Sequence, residues 1–461
     1  MEYSYLFPFE QDEFTFLGAH RFSAVGRSYL LARNGASILL DDSMANRIGQ
    51  KSISEELAFK LYQRGFGMVY GQPRYDFTAE EPRPTLFMID FTTKCNCNCI
   101  YCLRHFENVG ESISWEMLER ITRYIIDYCI RYRIRQIAFQ PWGGEPLIEL
   151  EKILACQRMF REAGIHAAFN IQTNGLLLNL QNYEILREHQ ISVGVSIDGV
   201  AAVHDAHRLD VRGNTTHQRI VRNLREILEK YPDADIGTLS VNSAYSKDHV
   251  AENVDYLIRE LGMPSIKFNL VHPSGGDSFD SSMLLREEEL DEYTGALVDA
   301  VTEQIRAGRI CREANIMDKL SNLLDRSNGN ICNAMGCTGG LAFISFDRDG
   351  NIYPCEMIGR KEFCLGNIAD EDNDLPDLIR RAHADNGYYA QRRTEQCGEC
   401  PWFHFCRGGC KASCLAYGTE PCQIDRIECA VNRSLYPRLV ELILTEPELA
   451  EKLAGLRIRV G

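Results

Sequence analysis

The sequence predicts an α/β protein organised on a partial (β/α)6 TIM-type barrel, with a small N-terminal α+β unit before it and a cysteine-rich unit after it. Three observations predict this. Six apolar runs alternate with helical stretches between positions 85 and 305, a hairpin-plus-helix pattern is confined to the first 80 or so residues, and cysteines gather at 95–102 and again beyond 332. Successive β/α units imply a parallel sheet that curls, with its chemistry at the C-terminal strand ends. At 461 residues the chain also needs more than one core.

Composition narrows the class. A hydrophobic content of 45% and a charged content of 25% describe a globular chain. No apolar run approaches the roughly 18–20 residues of a membrane span, and no basic-then-apolar segment opens the sequence. A cytoplasmic location without a membrane partner is expected. The net charge of −15 argues against nucleic acid, whose phosphates call for a basic footprint. Eighteen cysteines in a reducing compartment point to metal rather than disulfides.

The elements follow in order. Tyr29–Ala32 and Ile38–Leu40 flank Asn34-Gly35, a favoured hairpin turn. Ser52 and Glu55 suggest a capping box for a helix striped by Leu57 and Leu61 and stopped at Gly65. This unit, 1–80, suits a winged-helix-like peptide-recognition module or a plain cap over the barrel. A proline-containing linker at 78–84 leads to the barrel, 85–305. Its strands are expected at Thr85–Thr92, Ile137–Gln140, Ala167–Gln172, Ser192–Ile197, Ile236–Val241 and Ile266–Leu270. Between the first two, Ile121, Ile125, Tyr128 and Tyr132 mark one helix face. Bridging helices at 306–329, a cysteine-rich domain at 330–432 and a C-terminal helix at 433–461 complete the division.

The first strand runs into Cys95-x3-Cys99-x2-Cys102, with Cys97 inside the loop. Three thiolates on one loop can hold three irons of a [4Fe–4S] cube and leave the fourth iron open, although a zinc loop has similar spacing. Later strands end in Gly143-Gly144-Glu145-Pro146, in Gln172-Thr173-Asn174-Gly175, and in Ser196-Ile197-Asp198-Gly199 followed by His204 to Arg208. Each alone is also an ordinary turn. Glycines admit close backbone approach, amides offer donors and acceptors, and Ser196 with Arg208 suits a carboxylate. His204 and His207 lack a third ligand at metal spacing and are expected either at the surface or in supporting places.

In this order, the cysteine spacing and the strand ends resemble the radical S-adenosylmethionine (radical SAM) family. The resemblance implies S-adenosylmethionine (SAM) on the open iron. It also implies a SAM pocket lined by Tyr101, Gly143, Gly144, Glu145, Gln172, Asn174, Ser196, Arg208 and Leu270. Downstream, Cys332, Cys337, Gly350-x4-Cys355, Cys397-x2-Cys400-x5-Cys406-x3-Cys410 and Cys429 resemble the SPASM domain that follows the barrel in peptide-modifying relatives. By that family's interleaved pattern, Cys332, Cys337, Cys355 and Cys410 hold one auxiliary cluster. Cys397, Cys400, Cys406 and Cys429 hold another, with Cys422 an alternative to Cys429. Three [4Fe–4S] clusters are then expected. Glu356 takes the place of an aspartate that accepts a substrate proton in sulfatase-maturing relatives, one methylene longer.

The resemblance implies an enzyme that abstracts a hydrogen from a residue of a ribosomally made precursor peptide and installs a thioether or carbon–carbon cross-link, with an auxiliary cluster accepting the leftover electron. Its partners would be that peptide with its leader, and an electron donor such as flavodoxin or ferredoxin. The rivals are a formylglycine-generating sulfatase maturase, a small-molecule dehydrogenase and a non-catalytic iron–sulfur scaffold. The N-terminal unit counts against the first and two full auxiliary sets against the second. The intact first cysteine loop counts against the third.

Overall fold

The computed structural model describes residues 1–74, 82–102, 110–273, 279–324, 330, 332, 336–359, 361–371, 373–385, 395–420 and 423–455. The 78–84 linker lies partly outside these residues and Cys422 wholly so. Among the described residues no helix is long and apolar enough to cross a membrane.

The N-terminal unit is α+β, as expected, but richer in strands. β1 (Glu2–Leu6), β2 (Phe9–Gln11), β3 (Phe14–Phe16), β4 (Ala19–Ala24), β5 (Arg27–Leu31), β6 (Ser37–Asp41), β7 (Gly67–Val69) and β8 (Gln72–Pro73) sort into two antiparallel sheets, β1-β4-β5-β6 and β2-β3-β7-β8. Two helices, α1 (Asp42–Gly49) and α2 (Glu55–Arg64), separate β6 from β7. The β5–β6 hairpin turns at Asn34-Gly35, with Gly35 at φ 77°. The Asn34 side chain accepts from Ala36 N at 2.9 Å and donates to Gly65 O at 2.7 Å, tying the turn to the end of α2.

The cap of α2 differs from the Ser52–Glu55 expectation. Ser54 accepts from Leu57 N at 3.3 Å, and Glu55 is the first helical residue. Ile53, just before the cap, is buried in the unit's core and fixes where the chain enters the helix.

The six expected barrel strands all form. β9 (Leu86–Thr92), β11 (Gln136–Gly143), β12 (His166–Thr173), β13 (Ser192–Ser196), β15 (Ile236–Asn242) and β16 (Ser265–Leu270) lie parallel and side by side in sequence order. A separate antiparallel ladder pairs β10 (Cys97–Cys99) with β14 (Arg208–Asp210). The barrel helices are α3 (Trp115–Arg131), α4 (Leu150–Glu162), α5 (Leu180–Glu188), α6 (Ala201–His207), α7 (His217–Lys230) and α8 (Val250–Asp255), followed by α9 (Leu290–Arg306) and α10 (Ala314–Leu324). Alternate side chains face these helices, so that Phe139 and Phe169 stack at 4.5 Å and Phe139 meets Phe160 of α4 at 5.5 Å. The other set, including Asp90, Trp142, Gln172 and Ser196, faces the lumen.

The chain after the barrel extends the barrel sheet at both edges, the bridging stretch at one and the C-terminal domain at the other. β17 (Arg312–Glu313) pairs with β16, while β18 (Phe343–Phe346) pairs in parallel with β9 and leads to β19 (Asn351–Tyr353) and β20 (Gly366–Asn367). Helices α11 (Leu375–Asp385), α12 (Glu395–Gly398), α13 (Phe403–Cys406), α14 (Lys411–Ala416), α15 (Arg426–Thr445) and α16 (Pro447–Ala454) follow. α15 runs unbroken through the expected 432/433 boundary.

The N-terminal unit is docked on this domain, not set apart. Phe22, Tyr29, Leu31 and Leu39 belong to the main core, while the opposite face of their sheet makes the unit's own core. Tyr29 Oη donates to Leu323 O at 2.6 Å. Trp402, between two of the candidate ligand cysteines, stacks on Phe22 at 5.2 Å and on Tyr436 at 5.1 Å. Trp402→Ala should therefore lower stability by about 3–5 kcal/mol and make the N-terminal unit more susceptible to limited proteolysis. A denaturation midpoint equal to wild type would show that the stack contributes nothing to docking.

Candidate active site

The candidate site is assembled at the C-terminal end of β9. There Thr92 and Thr93 tie the chain to Glu111, after which it swings into the cysteine loop. Cys95 and Cys102 are half-buried, while Cys97 and Cys99 are buried. Asn174 donates to Cys95 Sγ at 3.7 Å and to Asn96 Oδ1 at 2.6 Å. Arg208 Nη1 approaches Cys99 Sγ at 3.8 Å. A hydrogen bond with Cys97 and the Arg208 charge lower the Cys99 thiol against its burial. Burial pushes Cys95 up to about 12, and the nearby charges of Cys99 and Cys102 add to the rise.

Two glycines bring β11 against this loop. A Cβ on Gly143 would lie 2.2 Å from Thr92 O, and one on Gly144 2.3 Å from Lys94 O. No L side chain fits either contact. Glu145, expected in the SAM pocket, is instead buried inside protein hydrogen bonds. It accepts from Thr173 Oγ1 at 2.7 Å, Asn174 N at 2.8 Å and Leu147 N at 3.1 Å. Its carboxylate thereby positions Asn174 over Cys95.

Asp198 is the residue that sequence reasoning missed. Its fully buried carboxylate accepts from Tyr101 Oη at 2.5 Å, Arg208 Nε at 3.1 Å and Val241 N at 2.9 Å. The Arg208 guanidinium also lies 5.2 Å from the Tyr101 ring centre. Arg208 is thus held by Asp198 on one edge and by the cysteine loop on the other. His204 and His207 are buried behind this centre, not at the surface. His204 Nδ1 accepts from Asp198 N at 3.2 Å, which leaves Nε2 to donate to Thr216 Oγ1 at 2.9 Å. Burial lowers His204 to about 3, so the ring is neutral. His207 Nε2 lies 2.9 Å from Ser243 Oγ. The signal available in the sequence was an acid between Ser196 and Gly199, at a strand end.

The lumen is lined by polar groups with spare capacity. Trp142 Nε1 and Gln172 Oε1 are buried without a hydrogen-bond partner among the described residues. Such groups are costly unless a ligand or water satisfies them. Asp90 is bridged by Arg348, which reaches in from the β18–β19 turn and also lies 3.6 Å from Glu111. Leu270 shares a register face with Asn242, the same face that carries Ile266 and Phe268 in the core. Lys267 and Asn269 occupy the opposite face of this strand. Leu270 is therefore at the edge of the lumen rather than within it.

The C-terminal thiols fall into groups. Cys332 and Cys410 are exposed and Cys355 half-buried, and Cys337 lies within electrostatic reach of all three. Glu356 is likewise within reach of Cys332 and Cys355, and Lys267 of β16 within reach of Cys332. Cys355 Sγ donates to Glu356 Oε2 at 3.1 Å. In the second set, Cys397 and Cys400 both raise Cys429. Cys406 sits beside Glu428, Lys319 and Asn432 of the same α15 neighbourhood. Lys319 is buried and donates to Glu428 at 3.1 Å and to Asn432 at 2.6 Å.

The chemistry of the three thiols on the β9 loop suits an iron–sulfur cube, in which each thiolate binds its own iron. A zinc ion requires four donors about 2.0–2.3 Å from one point, whereas a cube spreads its thiolates over several irons. The unsatisfied Trp142 and Gln172 atoms likewise fit a polar ligand in the lumen.

Comparison with known proteins agrees with this geometry. Residues 89–256 match the Radical SAM superfamily. The cysteine-type anaerobic sulfatase-maturating enzyme of Clostridium perfringens (strain 13) is 24% identical over 349 residues, covering 72% of this chain and 89% of that enzyme. The serine-type enzyme of Klebsiella aerogenes is 26% identical over 352 residues, covering 74% and 84%. In fold, native anSMEcpe with bound AdoMet and Cp18Cys peptide superposes with a TM-score of 0.65 at 23% identity, covering 78% of this chain and 99% of that one. Streptococcus suis SuiB bound to precursor peptide SuiA gives a TM-score of 0.55 at 14% identity, covering 89% and 99%. Residues 89–256 thus form a radical SAM domain, in a chain similar in sequence to the anaerobic sulfatase-maturating enzymes.

Proposed function

We propose that this chain modifies a ribosomally made precursor peptide, binding SAM in the barrel lumen and removing a hydrogen atom from a peptide residue to close a thioether or carbon–carbon cross-link, the remaining proton going to Glu356 and the remaining electron to an auxiliary cluster. When bound, SAM and the cube on Cys95, Cys99 and Cys102 supply the carbon-centred radical that takes this hydrogen. One observation carries the proposal: three thiols gathered at the end of β9, under Asn174 and Arg208, beside a lumen with unsatisfied polar atoms.

The chain's own residues bind and orient. The backbone at Gly143 and Gly144 offers carbonyls to an ammonium group. Ser196 and Arg208 offer donors to a carboxylate, and Asp198 fixes Arg208 so that little of its conformational entropy is lost on binding. Gln172 and Asn174 supply amide contacts, and Tyr101 closes the pocket beside Arg208. Cys332, Cys337, Cys355 and Cys410 would hold a first auxiliary cube, and Cys397, Cys400, Cys406 and Cys429 a second. Glu356, beside the first set, stands as acceptor for a substrate proton. The N-terminal unit, docked through Trp402, is the candidate grip for a leader, and flavodoxin or ferredoxin would supply the electrons. The peptides bound to anSMEcpe and SuiB support a peptide as substrate class.

A second proposal, formylglycine formation on a sulfatase, is favoured by the names of the relatives. Incubation with SAM, dithionite and candidate peptides separates the two. A cross-link appears as loss of two hydrogens with tandem mass spectra joining two residues, and formylglycine as an aldehyde captured by a hydrazine. No 5′-deoxyadenosine under any condition would overturn both.

Anaerobically reconstituted protein should carry about twelve irons, and the Cys95→Ala/Cys99→Ala/Cys102→Ala variant about eight with no SAM cleavage. Stoichiometric zinc without visible absorbance would contradict this. Arg208→Lys keeps the charge but loses the planar fork that spans Asp198 and the ligand. SAM affinity measured by calorimetry should fall by about 1–3 kcal/mol. Wild-type affinity in that variant would put Arg208 outside the pocket.

A further inference from the structure

We infer that Asn174 sets how readily the cube on Cys95, Cys99 and Cys102 takes its electron, by donating a hydrogen bond from its side-chain amide to Cys95 Sγ. The inference rests on the reading of those three thiols as holders of a reducible cube, and adds a residue that tunes it. Asn174 directly follows β12 and is buried, with 8% of its surface exposed. Its Nδ2 lies 3.7 Å from Cys95 Sγ and 2.6 Å from Asn96 Oδ1. At the other end of the amide, Oδ1 accepts from Leu176 N at 3.0 Å. That contact fixes the orientation, because a backbone N–H bonds only to the oxygen and so turns the NH2 group toward the sulfur. Both amide hydrogens are then spent on the cysteine loop, and only the second lone pair of Oδ1 is left for a ligand.

The residue is braced in this place. Asn174 N donates to the buried Glu145 Oε2 at 2.8 Å, and Glu145 N donates to Lys94 O at 2.8 Å, next to the first cysteine. Cys95 Sγ also receives Cys97 N at 3.4 Å. The same construction recurs at Cys99, where Asp198 holds Arg208 by Nε and Arg208 Nη1 lies 3.8 Å from the sulfur. Two ligand sulfurs thus each meet a side-chain donor that a buried carboxylate supports. Reduction adds negative charge to a cube and its thiolates, so an N–H aimed at a ligand sulfur favours the reduced form. Loss of that donor makes reduction harder while the three thiols remain to hold the iron. The balance is one electron: a low-potential donor loses it, the cube gains it, and no bond forms.

The test is a redox titration of the anaerobically reconstituted full-length enzyme, poised with dithionite and followed by electron paramagnetic resonance. Each poised sample is divided and half receives SAM, so the component that SAM displaces reports this cube alone. In Asn174→Ser the hydroxyl can still accept from Leu176 N and keep the turn, but it is too short to reach Cys95. At the wild-type midpoint its reduced-to-oxidised ratio should fall by about threefold or more, with iron content unchanged. Asn174→Asp keeps the size and the accepting oxygen, puts an acceptor in place of the donor, and should lower the ratio further. Asn170→Ser, the same exchange earlier on β12 at a residue bonded to Gln172 and not to a thiol, should keep the wild-type midpoint. A wild-type midpoint in Asn174→Ser or Asn174→Asp with intact iron would overturn the tuning role, even where SAM affinity drops. An equal fall in Asn170→Ser would overturn it too, since any lost amide would then do the same. Absence of a SAM-sensitive signal in the wild type would overturn the cube itself, and the tuning with it.

Discussion

The buried carboxylate of Asp198 is the constraint on which the site depends. A charge taken from water costs several kcal/mol unless fully paired, and removing one partner of a buried pair typically costs about 3–5 kcal/mol. Here three donors meet the cost: the Arg208 guanidinium, the Tyr101 hydroxyl and the Val241 amide. Each comes from a different part of the barrel. Tyr101 belongs to the cysteine loop, Arg208 to the ribbon that pairs with it, and Val241 to the fifth barrel strand. One carboxylate thus locks the loop after the first strand to the ends of the fourth and fifth. Glu145 does the same between the second and third, by holding Asn174 against Cys95. Two buried acids, each enclosed by protein donors, set the positions of Asn174 and Arg208 against the cysteine loop.

Much of the barrel was legible because it depends on local signals. Six apolar runs bounded by turn residues form six strands in sequence order. Gly143 and Gly144 were legible as close-approach positions, although what approaches first is the backbone of Thr92 and Lys94. The rest depends on contacts distant in sequence. Nothing local indicates that Phe343–Phe346 adds to the barrel sheet, or that Arg348 reaches Asp90 across 258 residues. Glu145 and Asp198 were each part of a quoted strand end, but residue type alone does not reveal whether a carboxylate faces a ligand or supports its neighbours. The shift of the α2 cap from Ser52 to Ser54 has a tertiary cause, the burial of Ile53.

The same long-range contacts make the three parts of the chain one body. The C-terminal domain borrows an edge of the barrel sheet, and the N-terminal sheet closes over Trp402 and Tyr436. Cys332 consequently lies within electrostatic reach of Lys267 of the barrel, while Cys406 lies beside the buried Lys319. A buried lysine beside Cys406 is sustainable only because Glu428, Asn432 and the Tyr436 ring surround it.

The central claim is that Cys95, Cys99 and Cys102 hold a cube with one iron open to SAM. The most direct measurement is electron paramagnetic resonance of the reduced protein before and after SAM is added, in a background where the auxiliary cysteines are replaced by alanine and iron content has been verified. The account predicts one [4Fe–4S]+ signal whose g-values shift when SAM binds, and no signal when Cys99 is also replaced. A signal indifferent to SAM, or one that survives loss of Cys99, would contradict it.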